Sequence, residues 1–153
     1  GGEFAHGYTY NGHPVAAAVA LENIRIMQEE KIVETAAADT MPYMAQRWAE
    51  LADHPMVGEA RIVGFMGAIE LTPDKAARAP FAADEGTVGY MVRERCFANG
   101  LVMRHVGDKM IISPPLVLNR AEIDHFLELA VKSLDEGMAK AKAEGVFAAG
   151  KRA

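Results

Sequence analysis

The sequence predicts an α+β fold in which helices cover one face of a small, largely antiparallel sheet. Two observations lead to this prediction. Segments with helical spacing of apolar residues alternate with short apolar runs bounded by turn residues, in the order helix, helix, strands, helix, strand pair, helix. The 153 residues are also 50% hydrophobic and 24% charged, which is typical of one globular domain that buries a core.

The N-terminal part of the chain predicts a loop that leads into a helix. Glycine and aromatic residues fill positions 1–13 too irregularly for a helix, which indicates an extended loop. Pro14 suits the first position of a helix, because its missing N–H has no partner there. Apolar residues then keep a helical stripe from 15 to 30, and the alanines at 16–18 indicate close packing against another surface.

The middle of the chain predicts two further helices with strands between them. A helix is expected over 42–53, with Asp39 or Thr40 as its N-cap. Apolar residues lie among glycines over 60–71, which indicates either two short strands or one bulged strand. A third helix is expected over 88–98.

The last part of the sequence predicts a strand pair and a final helix. Apolar runs at 101–103 and 110–112 are expected to form two strands joined by a turn at Gly107 and Asp108. The final helix is expected to begin at Asn119, since a glutamate three residues later completes a capping box. We expect this helix to fray from residue 137 onward, where lysine, alanine and glycine dominate.

Charge and cysteine content exclude several classes of function. The net charge of −5 argues against nonspecific binding to nucleic acid or to an anionic membrane. No apolar run is long enough to cross a bilayer, and residues 1–10 lack the regions of a signal peptide. Cys96 is the single cysteine, so a reducing compartment such as the cytoplasm is expected. Because the first residue is Gly1, we expect the chain to begin inside a longer gene product.

The sequence predicts no metal site. The five histidines fall in a loop or on separate elements, and the spacings typical of zinc or other metal ligands are missing. Cys96 lies on a helix face, where a cysteine is more often a small core residue than a nucleophile.

Two other features point to binding chemistry, and each has a structural alternative. Thr9 lies in a loop that leads into a helix, where a hydroxyl and backbone N–H groups can hold a phosphate; the alternative is a simple turn. Arg104 follows an apolar run directly before a turn, and its planar guanidinium suits a carboxylate in two-point contact. The alternative for Arg104 is a structural salt bridge.

Three segments resemble class III (omega) aminotransferases in matching order. HGYTYNGHPVAAAVALENI is similar to the segment after their cofactor lysine, VGFMGAIEL to a strand of their C-terminal part, and GLVMRHVGDKMIISPPLVLNRAEID to a strand–turn–strand–helix near the C-terminus. The phrasing VALENIRIM, LVMR and MIISPPLV is most similar to putrescine– or other diamine–pyruvate transaminases, with the beta-alanine–pyruvate branch close to it. The resemblance implies a fold-type-I, pyridoxal-phosphate-dependent homodimer that moves an amino group from an amine donor to a keto acid acceptor.

The resemblance also implies a role for three residues. Thr9 matches the threonine that binds the phosphate of the cofactor held by the other subunit, and Tyr8 matches the aromatic residue beside it, which lines the partner's substrate pocket. Arg104 matches the mobile arginine that pairs with the substrate carboxylate and swings aside when an amine without a carboxylate enters.

Three regions of the family are implied along the chain. Residues 1–13 match a cofactor-phosphate loop of the large domain, 14–38 an interdomain helix and 39–153 the C-terminal small domain. The family's Schiff-base lysine lies upstream of these segments, so no catalytic residue is expected here and the chain alone is expected to be inactive. The rival interpretation is a noncatalytic dimerisation or orphan domain that binds no cofactor.

Overall fold

The computed structural model describes residues 7–150 of the chain. Within these residues it contains five α-helices, one short 3-10 helix and four strands. Residues 1–6 of the predicted loop and residues 151–153 of the predicted small domain lie outside the described residues. The elements in chain order are α1 (Pro14–Glu29), α2 (Ile32–Ala38), α3 (Thr40–Ala49), the 3-10 helix (Glu50–Asp53), β1 (Val57–Val63), β2 (Met66–Leu71), α4 (Thr87–Ala98), β3 (Arg104–Val106), β4 (Lys109–Ile112) and α5 (Arg120–Ala143).

The sheet has four antiparallel strands in the order β1-β2-β4-β3. Of the two interpretations of residues 60–71, the hairpin is the one found, and β1 also carries a bulge between Val57 and Glu59. Gly58 occupies that bulge, where a Cβ atom would come to 2.8 Å from the Cγ2 atom of Thr72. The predicted antiparallel sheet is therefore confirmed.

One face of the sheet is buried and the other is exposed. Alternate side chains of β2 and β4, such as Ile69 and Met110, are almost fully buried in one core with residues of α3, α4 and α5. Trp48 of α3 lies so close to β2 that a Cβ atom on Gly67 would come to 3.0 Å from its ring. Helices thus cover one face of the sheet, as the sequence predicts.

The predicted position of the strand at 101–103 is wrong by three residues. β3 begins at Arg104, and the segment before it has no ladder partner between residues 7 and 150, although Leu101 and Met103 are buried. Side-chain packing alone removes these two residues from water, so an apolar run did not require strand pairing here. The predicted turn at Gly107 and Asp108 is confirmed, with Gly107 in the left-handed region at a φ of 56°.

The final helix begins as predicted but does not fray at Gly137. The Asn119 side chain accepts a hydrogen bond from the Glu122 N–H at 3.0 Å, and the Glu122 carboxylate accepts one from the Asn119 N–H at 2.9 Å, so the capping box is confirmed. The helix continues to Ala143 because Gly137 and Ala141 are both buried. Gly137 packs against Val92 of α4, so tertiary contact maintains a segment whose composition is weakly helical.

The helix that the apolar stripe predicts over 15–30 is confirmed as α1, whereas the interdomain helix that the resemblance implies over 14–38 is divided into two helices. α1 ends at Glu29, and Lys31 adopts a left-handed conformation with a φ of 51° before α2 begins. α1 has no buried residue, and its apolar side chains at Val15, Val19 and Leu21 are exposed. Within residues 7–150, no helix is both long enough and apolar enough to span a membrane.

Candidate functional site

Arg104 is the first residue of the edge strand β3, and its side chain lies on the exposed face of the sheet. The alternation along β3 places His105 toward the covered side, where its ring meets the ring of Tyr90 with centroids 5.9 Å apart. The Arg104 side chain forms no ion pair or hydrogen bond with another residue in the described range 7–150. The structural salt bridge that was the alternative for Arg104 is therefore not found within that range.

A single row of cross-strand neighbours runs over the exposed face of the sheet. Arg104 lies opposite Ile111, Ile111 is in register with Ala68, and Ala68 with Arg61 on the far edge strand. Small or apolar side chains therefore separate two arginines at opposite edges. Arg61 has an acidic neighbour, Glu59, at 3.4 Å, which Arg104 lacks among the described residues. The row offers one arginine whose guanidinium is available to an external carboxylate.

The turn that follows Arg104 is held by Asp108, which the sequence identified only as a turn residue. Its Oδ1 atom accepts a hydrogen bond from the Gly89 N–H at 2.8 Å, and its Oδ2 atom one from the Gly86 N–H at 3.1 Å. Its backbone carbonyl accepts a third, from the Leu71 N–H of β2, at 2.9 Å. The sequence offered no signal for the contact with α4, because it joins residues about twenty positions apart.

Tyr8 and Thr9 lie in an exposed loop of two turns. The Asn11 N–H donates to the Tyr8 carbonyl at 2.9 Å, and the His13 side chain caps α1 by accepting from the Ala16 N–H at 3.3 Å. The Thr9 hydroxyl and N–H make no hydrogen bond to the remainder of the described chain. They are available to an outside acceptor such as a phosphate oxygen.

Thr9 and Arg104 lie on separate elements, the loop before α1 and the first residue of β3. No hydrogen bond or ion pair within residues 7–150 joins them, and α1, which follows the loop, has no residue in the core. A single copy of this segment therefore presents two separate groups of binding residues.

Other reactive side chains in the described part of the chain have structural surroundings. Burial raises the pKa of the Cys96 thiol, which disfavours the nucleophilic thiolate. His54 is buried, with its Nδ1 atom accepting from the Met56 N–H at 3.1 Å and its Nε2 atom 3.3 Å from Asp135. No group of three or more histidine, cysteine, aspartate or glutamate residues between 7 and 150 is placed to hold a metal ion.

A cleft of about 890 Å³ lies between the end of the sheet and the loop after β2. Its lining combines acidic residues, such as Glu59 and Glu85, with basic residues, such as Lys75 and Lys109. Lys75 already donates to the backbone carbonyl of Ala52 at 2.5 Å. None of the residues that the sequence identified as binding residues lines this cleft.

Comparison with known proteins shows the family of the chain. A family model described as aminotransferase class-III matches residues 1–134. The chain belongs to this family. The segment that matches contains both the Thr9 loop and the Arg104 hairpin, so the resemblance found from the sequence is confirmed at the level of the family.

Relatives of this class III aminotransferase chain match it over only part of their own length. It is 62% identical to a putrescine–pyruvate aminotransferase of Pseudomonas aeruginosa, over 89% of this chain and 29% of the relative. It is 36% identical to gamma-aminobutyrate transaminase 1, mitochondrial, of Oryza sativa subsp. indica, over 94% of this chain and 28% of that protein. The chain thus spans less than a third of either relative.

Solved structures of omega transaminases share the fold. The crystal structure of the omega transaminase from Pseudomonas jessenii in complex with PMP matches with a TM-score of 0.79 and 38% identity, over 90% of this chain and 30% of that one. A thermostable 4-fold mutant of the Pseudomonas jessenii enzyme matches with a TM-score of 0.80. These neighbours are fold-type-I transaminases, which confirms the predicted fold class.

Proposed function

We propose that the protein to which this chain belongs is a pyridoxal-phosphate-dependent aminotransferase. It moves an amino group from an amine donor, such as putrescine, another diamine or an omega-amino acid, to a keto acid such as pyruvate. The donor follows from the 62% identity to a putrescine–pyruvate aminotransferase. The observation that carries the proposal is Arg104, exposed on the open face of the sheet and without an ionic partner in residues 7–150.

Arg104 supplies the specificity for the keto acid. Its guanidinium forms two parallel hydrogen bonds with a carboxylate, which the keto acid carries and a diamine does not. Its place on an edge strand supports this role, since in the described part of the chain only one side of β3 is paired and the side chain is exposed. When a donor without a carboxylate, such as a diamine, enters, the side chain swings aside while the backbone of the strand stays in place.

Thr9 and Tyr8 belong to the site of the partner subunit in a homodimer. The Thr9 hydroxyl and N–H, which have no partner in the described chain, fit a phosphate group at a loop that leads into α1. Tyr8 is 72% exposed here and lines the substrate pocket of the neighbouring subunit. Pyridoxal phosphate supplies, when bound, the electron sink that amino transfer requires.

The remaining parts of the chain connect these groups. Residues 1–13 belong to the large domain, 14–38 form the interdomain connection and 39–153 the small domain, while the Schiff-base lysine lies upstream. The exposed apolar stripe of α1 is consistent with such a connection, because it has no cover in residues 7–150. The single cysteine, Cys96, is free and buried, which supports a cytoplasmic location.

Arg104→Ala in the intact protein tests the proposal. We expect kcat/KM for pyruvate to fall about 100-fold, the effect of losing two charge-assisted hydrogen bonds, with little change in the half-reaction with a diamine. Arg61→Ala is the matched control, because Arg61 lies in the same cross-strand row at the other edge of the sheet. Equal losses in both half-reactions would make Arg104 a structural residue and contradict the proposal.

A mass measurement separates this function from a noncatalytic dimerisation domain. Borohydride reduces a lysine–cofactor imine to a stable adduct, which survives denaturation. A mass well above the 16.5 kDa of this chain, with one pyridoxyl group attached, supports the aminotransferase. A bare 16.5 kDa species supports the rival function.

A further inference from the structure

The strand that carries Arg104 has little support of its own. β3 is three residues long and lies at the edge of the sheet, so among residues 7–150 its ladder partner is β4 alone. Short edge strands fray readily, and fraying would move the guanidinium of Arg104 away from the carboxylate of the bound keto acid. The position of Arg104 therefore depends on what holds the β3–β4 turn.

The turn is held at the N-terminus of α4. Gly86, the N-cap of α4, has no side chain to bind the first N–H groups of the helix. The Asp108 carboxylate takes this role from another element, through the bonds to Gly86 and Gly89 described above. A carboxylate at a helix N-terminus is favoured both by these hydrogen bonds and by the helix dipole.

The close approach of α4 to the turn depends on the same residues. A Cβ atom on Gly89 would lie 3.2 Å from the Cα atom of Asp108 and would overlap the carbonyl oxygen of Gly107. The turn is thus enclosed between α4 and β2, since the carbonyl of Asp108 also accepts from Leu71. Asp108 is half-buried between these elements, which shields its hydrogen bonds from water.

We propose that Asp108 is a positioning residue for Arg104, and that the affinity for the keto acid depends on its contact with α4. The inference rests on the proposed function of Arg104. When only a fraction of molecules holds the binding residue in place, the apparent dissociation constant rises by the inverse of that fraction. Asp108 thus acts on the acceptor half-reaction, in which Arg104 is needed, and not on the donor half-reaction.

The test compares Asp108→Asn and Asp108→Ala with wild type in the intact enzyme. Asparagine keeps one acceptor oxygen without the charge, whereas alanine keeps neither. We expect KM for pyruvate to rise about tenfold in Asp108→Ala, which loses both hydrogen bonds, and less in Asp108→Asn, which keeps one acceptor oxygen. KM for the diamine should be unchanged. Hydrogen exchange of the segment 104–112 should accelerate in the same order.

Two further variants make the result specific. Asp74→Asn is the matched control, because Asp74 also accepts a backbone hydrogen bond, from the Ala77 N–H at 3.0 Å, in a turn that does not support Arg104. It should leave both KM values and the exchange of 104–112 unchanged. Arg104→Ala, measured alongside, reports on the proposed function itself.

The outcomes separate the two proposals. If Arg104→Ala raises KM for pyruvate but neither Asp108 variant does, the inference about Asp108 is wrong and the proposed function stands. If the Asp108 variants lower kcat/KM of both half-reactions equally, Asp108 is a structural residue only and the inference is overturned. If Arg104→Ala itself leaves KM for pyruvate unchanged, the proposed function fails and the role of Asp108 fails with it.

Discussion

Gly137 gives the sharpest test of how α4 and α5 pack, because two effects of opposite sign act on one substitution. Replacing a glycine inside a helix with alanine stabilises the helix by about 1 kcal/mol. In the structure, however, the new Cβ atom would lie 2.6 Å from the Cγ2 atom of Val92 and 3.2 Å from its Cα atom. Val92 is 1% exposed and β-branched in a helix, so it cannot turn to another rotamer.

The steric cost outweighs the helical gain. To reach the 3.0 Å that real Cβ contacts require, the two helices must separate by about 0.4 Å along their contact. Overpacking of this kind costs about 1 to 3 kcal/mol, so we expect Gly137→Ala to lower the free energy of unfolding by about 1 kcal/mol net. Urea denaturation followed by circular dichroism measures this difference.

A double-mutant cycle with Val92→Ala supplies the control. Without the Cγ2 atom, the nearest atom to the new methyl group is the Val92 Cα, at 3.2 Å, so Gly137→Ala should cost at least about 1 kcal/mol less in that background. A Gly137→Ala variant that is about 1 kcal/mol more stable than wild type would refute the reasoning. That result would mean that α5 frays at this point, as its composition alone indicates.

Two further predictions concern His54 and Thr9. Burial lowers the pKa of His54 below its ordinary 6.5, so as the pH falls the unfolded chain takes up the proton before the folded chain does. The stability that neutral His54 contributes is therefore complete above pH 6.5. It is lost as the pH falls from 6.5 through the folded-state pKa. The urea midpoint of the wild type should fall across that pH window, and the midpoint of His54→Gln should fall less. His125→Gln, which changes an exposed histidine, is the control and should behave as wild type. Thr9→Ala should weaken retention of the cofactor by the intact enzyme during dialysis, and unchanged retention would remove the phosphate role of Thr9.

Local signals were sufficient for the elements whose ends are set by neighbouring residues. The capping box at Asn119 and the turn at Gly107 each depend on a few adjacent positions, and both are where the sequence predicts them. The β1–β2 hairpin needed the structure to decide between two interpretations, because glycines at 64 and 67 suit either a turn or a bulge.

The errors arise where distant residues decide the outcome. Leu101 and Met103 are buried by side-chain packing and not by a ladder, and an apolar run alone does not distinguish the two. The apolar stripe ended at residue 30, and only the range 14–38 that the resemblance implies ran across the left-handed Lys31. Asp108 was missed as a positioning residue for the same reason, since its partners at Gly86 and Gly89 are adjacent only after folding.

The exposed helix α1 has a consequence for how the segment unfolds. A helix of 16 residues with no buried side chain is marginal in water, even when it is rich in alanine. The ion pairs that Arg25 makes with Glu22 and Glu29 lie in water and add little stability. With its apolar stripe in water, α1 should therefore open locally, exchange its amide protons and be cut by proteases long before α4 or α5. The protection of its amides is accordingly a direct gauge of whether another surface covers that stripe.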